Sequence, residues 1–212
     1  GMFLGYVFDG IYQVEDFDSP APDVYVLKNN LPDNGNPRNV IQPGHIKYKD
    51  MNGDYTIDGN DVVIIGRGQP IHTGGFFNDL QYKRINLSFL FQWSYGNQIY
   101  NANRLIFDGN YINQYYVNQY ASFNDRWTPE NRSNKYFKVG GQGPAGYQST
   151  RVLEDGSYLR LKTLSVGYKV SDKVTKMLKM TNISFNISAQ NLFTFTKYTG
   201  MDPETSVRNT VL

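Results

Sequence analysis

Oxygen-bearing side chains crowd the stretch Asp50-Met51-Asn52-Gly53-Asp54-Tyr55-Thr56-Ile57-Asp58-Gly59-Asn60-Asp61, at loop positions 1, 3, 5, 9 and 12. A hard cation such as Ca²⁺ takes about 6–8 oxygen ligands, and a turning loop with this spacing brings several carboxylates to one point, with the backbone carbonyl of Thr56 at position 7. Without a cation the four aspartates repel one another. The expected ligands are therefore Asp50, Asn52, Asp54, Thr56 (through its carbonyl), Asp58 and Asp61, around a structural Ca²⁺. Two departures from the usual twelve-residue calcium loop predict a looser site: Tyr55 stands at the position of the invariant glycine, and Asp61 replaces the bidentate glutamate. The competing reading is a turn rich in Asp, Asn and Gly that is polar only because turns are.

Other chemistry is poorly supported. His45 and His72 are the only histidines, there is no cysteine, and neither histidine has a sequence constellation suited to a nucleophile and base. The acidic pairs that would suggest a glycosidase, such as Asp50 with Asp58, are better used by a cation. The chain is expected not to be an enzyme. Its formal charge of +2 gives no electrostatic case for nucleic acid.

The elements that must position these residues are strands. The 212 residues are 15% aromatic, with 17 Tyr and 13 Phe, and such enrichment alongside Asn, Gly and Thr favours strands and turns. From Ile85 to Tyr95 the residues Ile85, Leu87, Phe89, Phe91, Trp93 and Tyr95 alternate with Asn86, Ser88, Gln92 and Ser94. Residues 182–196 repeat the alternation, broken only at Asn191 and Leu192. Period-2 patterning of this length predicts a sheet with one apolar and one polar face. Further strands are expected over 3–13, 73–82 and 157–170, the first being the weakest. In the last of these Arg160 and Lys162 share the parity of Leu164, Val166, Tyr168 and Val170, which either a β-bulge or emergence from an apolar layer into water would explain.

The predicted fold class is all-β: an antiparallel up-and-down meander of about five strands, at approximately 3–13, 73–82, 85–96, 157–170 and 182–198. The connections alternate in length, with long irregular loops over 14–72 and 97–156 and short links between. Successive antiparallel strands place both long loops at one end and both short links at the other, the asymmetry of an outer-membrane barrel. No apolar run long enough for a transmembrane helix occurs, but barrel strands escape that test. The uncharged polar face suits a wet lumen, and Trp93, Tyr95, Phe195, Tyr198 and Tyr82 near the strand ends suit interfacial girdles.

Several motifs in order resemble the C-terminal part of SusC/RagA-type TonB-dependent outer-membrane transporters. These are Gly5-Tyr6-Val7-Phe8-Asp9-Gly10-Ile11-Tyr12, then Pro43-Gly44-His45-Ile46-Lys47-Tyr48-Lys49-Asp50 leading into the calcium-like loop, Ile64-Ile65-Gly66-Arg67-Gly68-Gln69-Pro70 and Phe91-Gln92-Trp93-Ser94-Tyr95-Gly96-Asn97. Arg126-Trp127-Thr128-Pro129-Glu130-Asn131, Glu154-Asp155-Gly156-Ser157-Tyr158-Leu159-Arg160-Leu161-Lys162 and Gln190-Asn191-Leu192-Phe193-Thr194-Phe195-Thr196-Lys197-Tyr198 complete the series. The calcium-like loop itself is nearer to dockerin-type loops than to calcium sensors.

The resemblance implies a piece, residues 1–212, of a larger transmembrane barrel in the bacterial outer membrane, with plug and TonB box lying outside it. It implies import of oligosaccharides or peptides, with a SusD-like surface lipoprotein as lid, the TonB complex engaged through the absent N-terminal region, and lipid around the wall. Both long loops are then extracellular. In the second of them Tyr111, Tyr115, Tyr116, Tyr120 and Trp127 are candidate contacts to substrate or lid, against the plainer expectation that most of these rings pack within the loop. Gly1-Met2 suggests a tag remnant, and an isolated piece with bare sheet edges is expected to self-associate. The alternative from another class is a soluble Ca²⁺-binding β-module for glycan or protein.

Overall fold

The computed structural model describes residues 1–108, 117–144 and 148–204. Contacts divide the chain into two units. Residues 1–68 and 100–154 form one, and residues 69–99 with those from 155 onward form the other.

The second unit is built on a four-stranded antiparallel sheet. Its strands are β7 (His72–Tyr82), β8 (Ile85–Tyr95), β11 (Tyr158–Lys169) and β12 (Ser184–Thr196), in the spatial order β12-β11-β8-β7. Tyr82 faces Ile85 across a two-residue turn in which Lys83 takes φ +55°. Between β11 and β12 the chain forms α2 (Asp172–Met177), whose N-cap Ser171 accepts the Val174 N–H. Lys179 adopts φ +57° just beyond the helix, and the Met180 N–H returns to the Thr175 carbonyl at 2.9 Å, closing its C-terminus.

Register fixes the faces. Phe91 lies opposite Phe76 on one side and Leu161 on the other, Leu87 lies opposite Leu80 and Val166, and Val166 also faces Ile187. Of the two explanations for the parity switch, the bulge is present: both pairings of β11 shift between Leu161 and Thr163. A one-residue insertion swaps the faces. Leu159 and Leu161 thereby join Leu164, Val166 and Tyr168 on the apolar side, while Arg160 turns to the polar side. On β12 the bulged residue Asn191 has φ +53°, which accounts for the break in alternation at that point.

The expected first strand departs from this plan. Residues 3–13 do not join the sheet, whose continuous strands number four. They form β1 (Met2–Gly5), paired with β6 (Val63–Arg67), and β2 (Phe8–Ile11), paired with β5 (Ile46–Tyr48). Two glycines explain the interruption. A Cβ on Gly5 would sit 2.5 Å from the Gln148 carbonyl oxygen, and Gly10, at φ +100°, has Asn134 Oδ1 where a Cβ would be.

The long connections also differ from expectation, because they carry a core. In the first unit Tyr6, Ile11, Ile46, Tyr48, Ile57, Trp127 and Phe137 pack in one buried cluster, and Tyr12, Phe17, Leu27 and Ile41 in another. The hairpin β3 (Phe17–Ala21) and β4 (Val24–Leu27) supplies part of the second cluster. The short pair β9 (Gln98–Tyr100) and β10 (Leu153–Asp155) and the helix α1 (Ala102–Phe107) complete the described elements of regular strand and α-helix. Two buried polar side chains of this unit find carbonyl partners. Tyr12 donates its hydroxyl to the Pro32 carbonyl at 2.6 Å, and burial pushes its pKa upward. The fully buried Asn34 donates to the Ile46 carbonyl at 2.9 Å.

Candidate functional site

The aspartates of the 50–61 loop are turned onto backbone N–H groups. Asp50 accepts from Gly53 at 2.7 Å and Tyr55 at 2.8 Å, and Asp54 from Thr56 at 2.8 Å. Asp58 caps the turn at Gly59–Asp61 by accepting from the Asn60 N–H at 2.7 Å. Asp61, fully buried, closes the loop by accepting from Met51 at 2.8 Å and Asp58 at 2.9 Å. Asn52 bridges within it, donating its side-chain amide to Asp54 and accepting the Asp54 N–H. Desolvation works to raise the Asp50 pKa, but the N–H donors of Gly53, Tyr55, Asn52 and Asp54 outweigh it and hold the carboxyl below its ordinary value.

Tyr55 resolves the first departure from the calcium-loop pattern. At φ +64° it makes the left-handed turn that glycine makes elsewhere. Asp33 anchors the same loop from outside, accepting the Ile57 N–H at 2.9 Å and donating its own N–H to the Tyr55 carbonyl at 3.1 Å. Sequence spacing gave no sign of that residue. The donor types suit a hard cation, yet among the described residues no three Asp, Glu or His side chains converge closely enough to hold a metal. As placed, the carboxylates stabilise a turn.

The aromatic candidates divide. Tyr111, Tyr115 and Tyr116 lie outside the described residues. Tyr120 is exposed, with its ring 5.5 Å from that of Phe107. Trp127 is not a surface contact. It is buried over Gly44, and its indole N–H donates to Gln13 Oε1 at 2.9 Å, so bulk and donor are both used in the core. The Thr128–Asn131 segment that follows is a tight turn, in which each of these two residues donates its N–H to the other's carbonyl.

Two charged clusters escaped the sequence reading. Asp108 is buried and binds Arg104 at 2.6 Å and Ser122 at 2.5 Å, with Arg151 at 3.9 Å. Arg104 also reaches Glu154 at 3.3 Å. On the polar face of the sheet, Arg160 keeps only 4% of its side chain exposed while pairing with Asp202 at 2.5 Å, Glu204 at 2.6 Å and the Thr194 hydroxyl at 2.9 Å. Its parity against Leu164 was the one available signal, and that signal reported the bulge.

The two sheet faces carry the functional argument. One presents Phe76, Leu80, Ile85, Leu159, Val166, Phe185, Phe193 and others to the exterior, with Ile187 76% and Phe195 64% exposed. The other carries Asn86, Ser88, Gln92, Ser165, Asn186, Ser188 and Gln190. Aromatic rings mark both ends of the apolar face. Trp93, Tyr95 and His72 cluster at one, where the Trp93 indole donates to His72 Nδ1 at 3.2 Å and His72 stacks on Tyr95. Tyr82, Tyr168 and Phe185 lie at the other. Eight residues separate Ile85 from Trp93, about 27 Å along a strand and roughly 20 Å along the normal at a ~40° tilt, close to the apolar band of a barrel.

No protein-family model matches the chain. It is 35% identical over 164 residues to TonB-dependent receptor P26 of Formosa agariphila, covering 77% of this chain and 16% of that protein. Against TonB-dependent receptor SusC of Bacteroides thetaiotaomicron the identity is 26% over 190 residues, 87% of this chain and 17% of the relative. Among solved structures, the RagAB peptide transporter superposes with a TM-score of 0.69 at 21% identity, over 95% of this chain and 20% of that one. The chain thus spans about a fifth of the length of the proteins it matches. The likeness to RagAB establishes the fold: the antiparallel sheet is part of a transmembrane barrel that these residues alone do not close.

Proposed function

We propose, from the premise that this chain belongs to the SusC/RagA type of TonB-dependent outer-membrane receptors, that in the full-length protein it supplies wall and outer-face structure for import of oligosaccharides or peptides. The carrying observation is the two-faced sheet. Its apolar side is exposed at residues of all four strands and half-buried through the middle of β8 and β11, while its polar side bears mostly amides and hydroxyls, with Phe77 and Leu90 among them. A soluble Ca²⁺-binding module would have to leave that apolar face in water, at roughly 25 cal/mol per Å². Lipid on one side and a wet lumen on the other remove the conflict.

In this reading the short links at 83–84 and 170–183 face the periplasm, and the long connections 14–72 and 97–156 face the outside of the cell. The exposed Tyr120 meets a SusD-like lipoprotein or the substrate, and Tyr111, Tyr115 and Tyr116, which lie outside the described residues, are assigned the same role from the sequence alone. Coupling to TonB belongs to regions of the protein beyond this chain. The relatives are receptors and transporters, and the chain's role is structural and binding rather than catalytic. The 50–61 loop stiffens the outer unit, with Ca²⁺ as an added ligand when its carboxylates converge. Deleting residues 111–120 from the full-length gene should impair growth on the cognate nutrient or co-purification of the lipoprotein, while the barrel still inserts. Unchanged uptake together with unchanged co-purification in that strain would refute the assignment of the outer unit.

A further inference from the structure

Charge is distributed unevenly between the two ends of the sheet. At the end carrying the long connections, Arg160 and Lys162 are neutralised by Asp202 and Glu204. At the short-link end, Lys83, Arg84, Lys169, Lys173, Lys176 and Lys179 are all exposed, and among the described residues none has a carboxylate within 4 Å. Asp172 is the one acid in the turn and helix that carry them.

These cations sit beside apolar surface. Lys83 and Arg84 share a recess of about 540 Å³ with Tyr82, Ile85 and Tyr168, at the rim of the apolar face, and the Lys83 ammonium lies 5.2 Å from the Tyr82 ring. On the polar side a second recess of about 290 Å³ has Lys83, Arg84 and Lys169 beside Asn86, Ser184 and Asn186. The helix and its exit repeat the pattern: Lys173, Lys176 and Lys179 recur every third residue, while Val174, Met177 and Leu178, all exposed, take the neighbouring stripe. Cations along one stripe and unpacked aliphatic side chains along the next are the mark of a segment lying at a bilayer surface.

We infer that the β7–β8 turn and the α2 connection form a binding site for the headgroup of an anionic glycerophospholipid. Lys83, Arg84 and Lys169 meet its phosphate, the lysines of α2 add to the positive potential at this end, and its acyl chains run along the Tyr82, Ile85 and Tyr168 side of the sheet. Arginine offers the phosphate a planar pair of donors and lysine a point charge, and neither is held by a competing carboxylate here. A zwitterionic headgroup brings its own ammonium and offsets that attraction, so the site discriminates by net charge. The inference rests on the barrel reading above, including the placement of the short links at the periplasmic leaflet, where phospholipid rather than lipopolysaccharide is the available anion.

The test uses the complete receptor, extracted in non-ionic detergent, delipidated and titrated with defined lipids under native mass spectrometry. Phosphatidylglycerol should bind at least ~5-fold more tightly than phosphatidylethanolamine, and raised salt should narrow the gap. In the combined variant K83Q, R84Q, K173Q and K176Q the preference should vanish while phosphatidylethanolamine binding stays as it was. Equal binding of the two lipids by the wild type, or a preference that survives in the variant, overturns the inference. So does stronger retention of lipopolysaccharide than of phosphatidylglycerol, which would put this end at the outer leaflet, or displacement of the lipid by millimolar inorganic phosphate. Heat-modifiable gel mobility of both proteins, measured alongside, monitors the barrel itself. If the wild type never inserts in a bilayer, the barrel reading fails, an outcome separate from loss of lipid preference in an inserted protein.

Discussion

Arginine at position 89 tests the assignment of the two faces most directly. Phe89 lies four residues from the Tyr82–Ile85 end of its strand, with Leu164 and Asn78 opposite and the rings of Phe76 and Phe91 at 6.1 and 5.8 Å. Four residues at about 3.4 Å each, tilted by ~40°, put it about 10 Å from the inner girdle, near the middle of a ~25 Å apolar band. A cation there costs about 2–4 kcal/mol. Ser88, one residue earlier, points to the other face and lies directly opposite Asp79, so Ser88→Arg gains a carboxylate neighbour in a wet environment and should cost under ~1 kcal/mol. The difference of roughly 2–3 kcal/mol corresponds to about 30- to 150-fold in the folding equilibrium. Denaturant titration of the full-length receptor folding into lipid vesicles would measure both variants. Equal costs, or a larger cost at Ser88, would mean that the lipid and lumen faces have been exchanged.

Calorimetry should detect Ca²⁺ binding to the wild type at about 10⁻⁴–10⁻³ M and its loss in Asp54→Ala; indifference of melting and heat to both EDTA and the substitution would leave the loop as a turn alone. Tyr55→Gly should stabilise the outer unit by about 1 kcal/mol, since a left-handed backbone without a Cβ is relieved of strain, and a lower melting temperature would count against that account. Trp127→Ala should cost about 3–5 kcal/mol and leave Gln13 without its donor, readable as earlier proteolysis of the outer unit; a near-neutral result would place the ring back on the surface. Burial, with the Lys138 charge adding to it, lowers the His45 pKa to about 4, below its ordinary value. The unfolded chain therefore binds the extra proton first, and stability is greatest above pH ~6.5 and falls as pH drops toward 4. His45→Gln should flatten that slope, and an unchanged profile would assign the acid sensitivity to other groups.

The sheet was legible because its signals are local. Alternation from Ile85 to Tyr95, the Tyr82-Lys83-Arg84 turn and the parity conflict at Arg160 each lie within one strand or one hairpin, and each reappears in the register. The outer unit was not legible, because its contacts are distant and aperiodic. Trp127 meets Gln13 and Asn134 meets Ile11 across separations of 114 and 123 residues. No period links such pairs, so Trp127 read as a loop aromatic and residues 3–13 as a strand of the sheet. The 50–61 loop was recognised by composition, yet composition does not say where a carboxylate's lone pairs point. Asx-type bonds to Gly53, Tyr55 and Thr56 use the same oxygens that a cation would need.

The discontinuity of the outer unit has a mechanical meaning. Residues 1–68 and 100–154 share one core, while the chain between them, 69–99, leaves to make the β7–β8 hairpin and comes back. Once that core has closed, the hairpin is a stitch knotted at its two ends. While that core holds, a hairpin released from the sheet is a closed loop of residues 69–99, whose chain entropy is lower than that of a free segment by an amount equivalent to about 3 kcal/mol. This chain has no cysteine, and the restraint lasts only as long as the core stays folded, whereas a disulfide would hold in the unfolded chain as well.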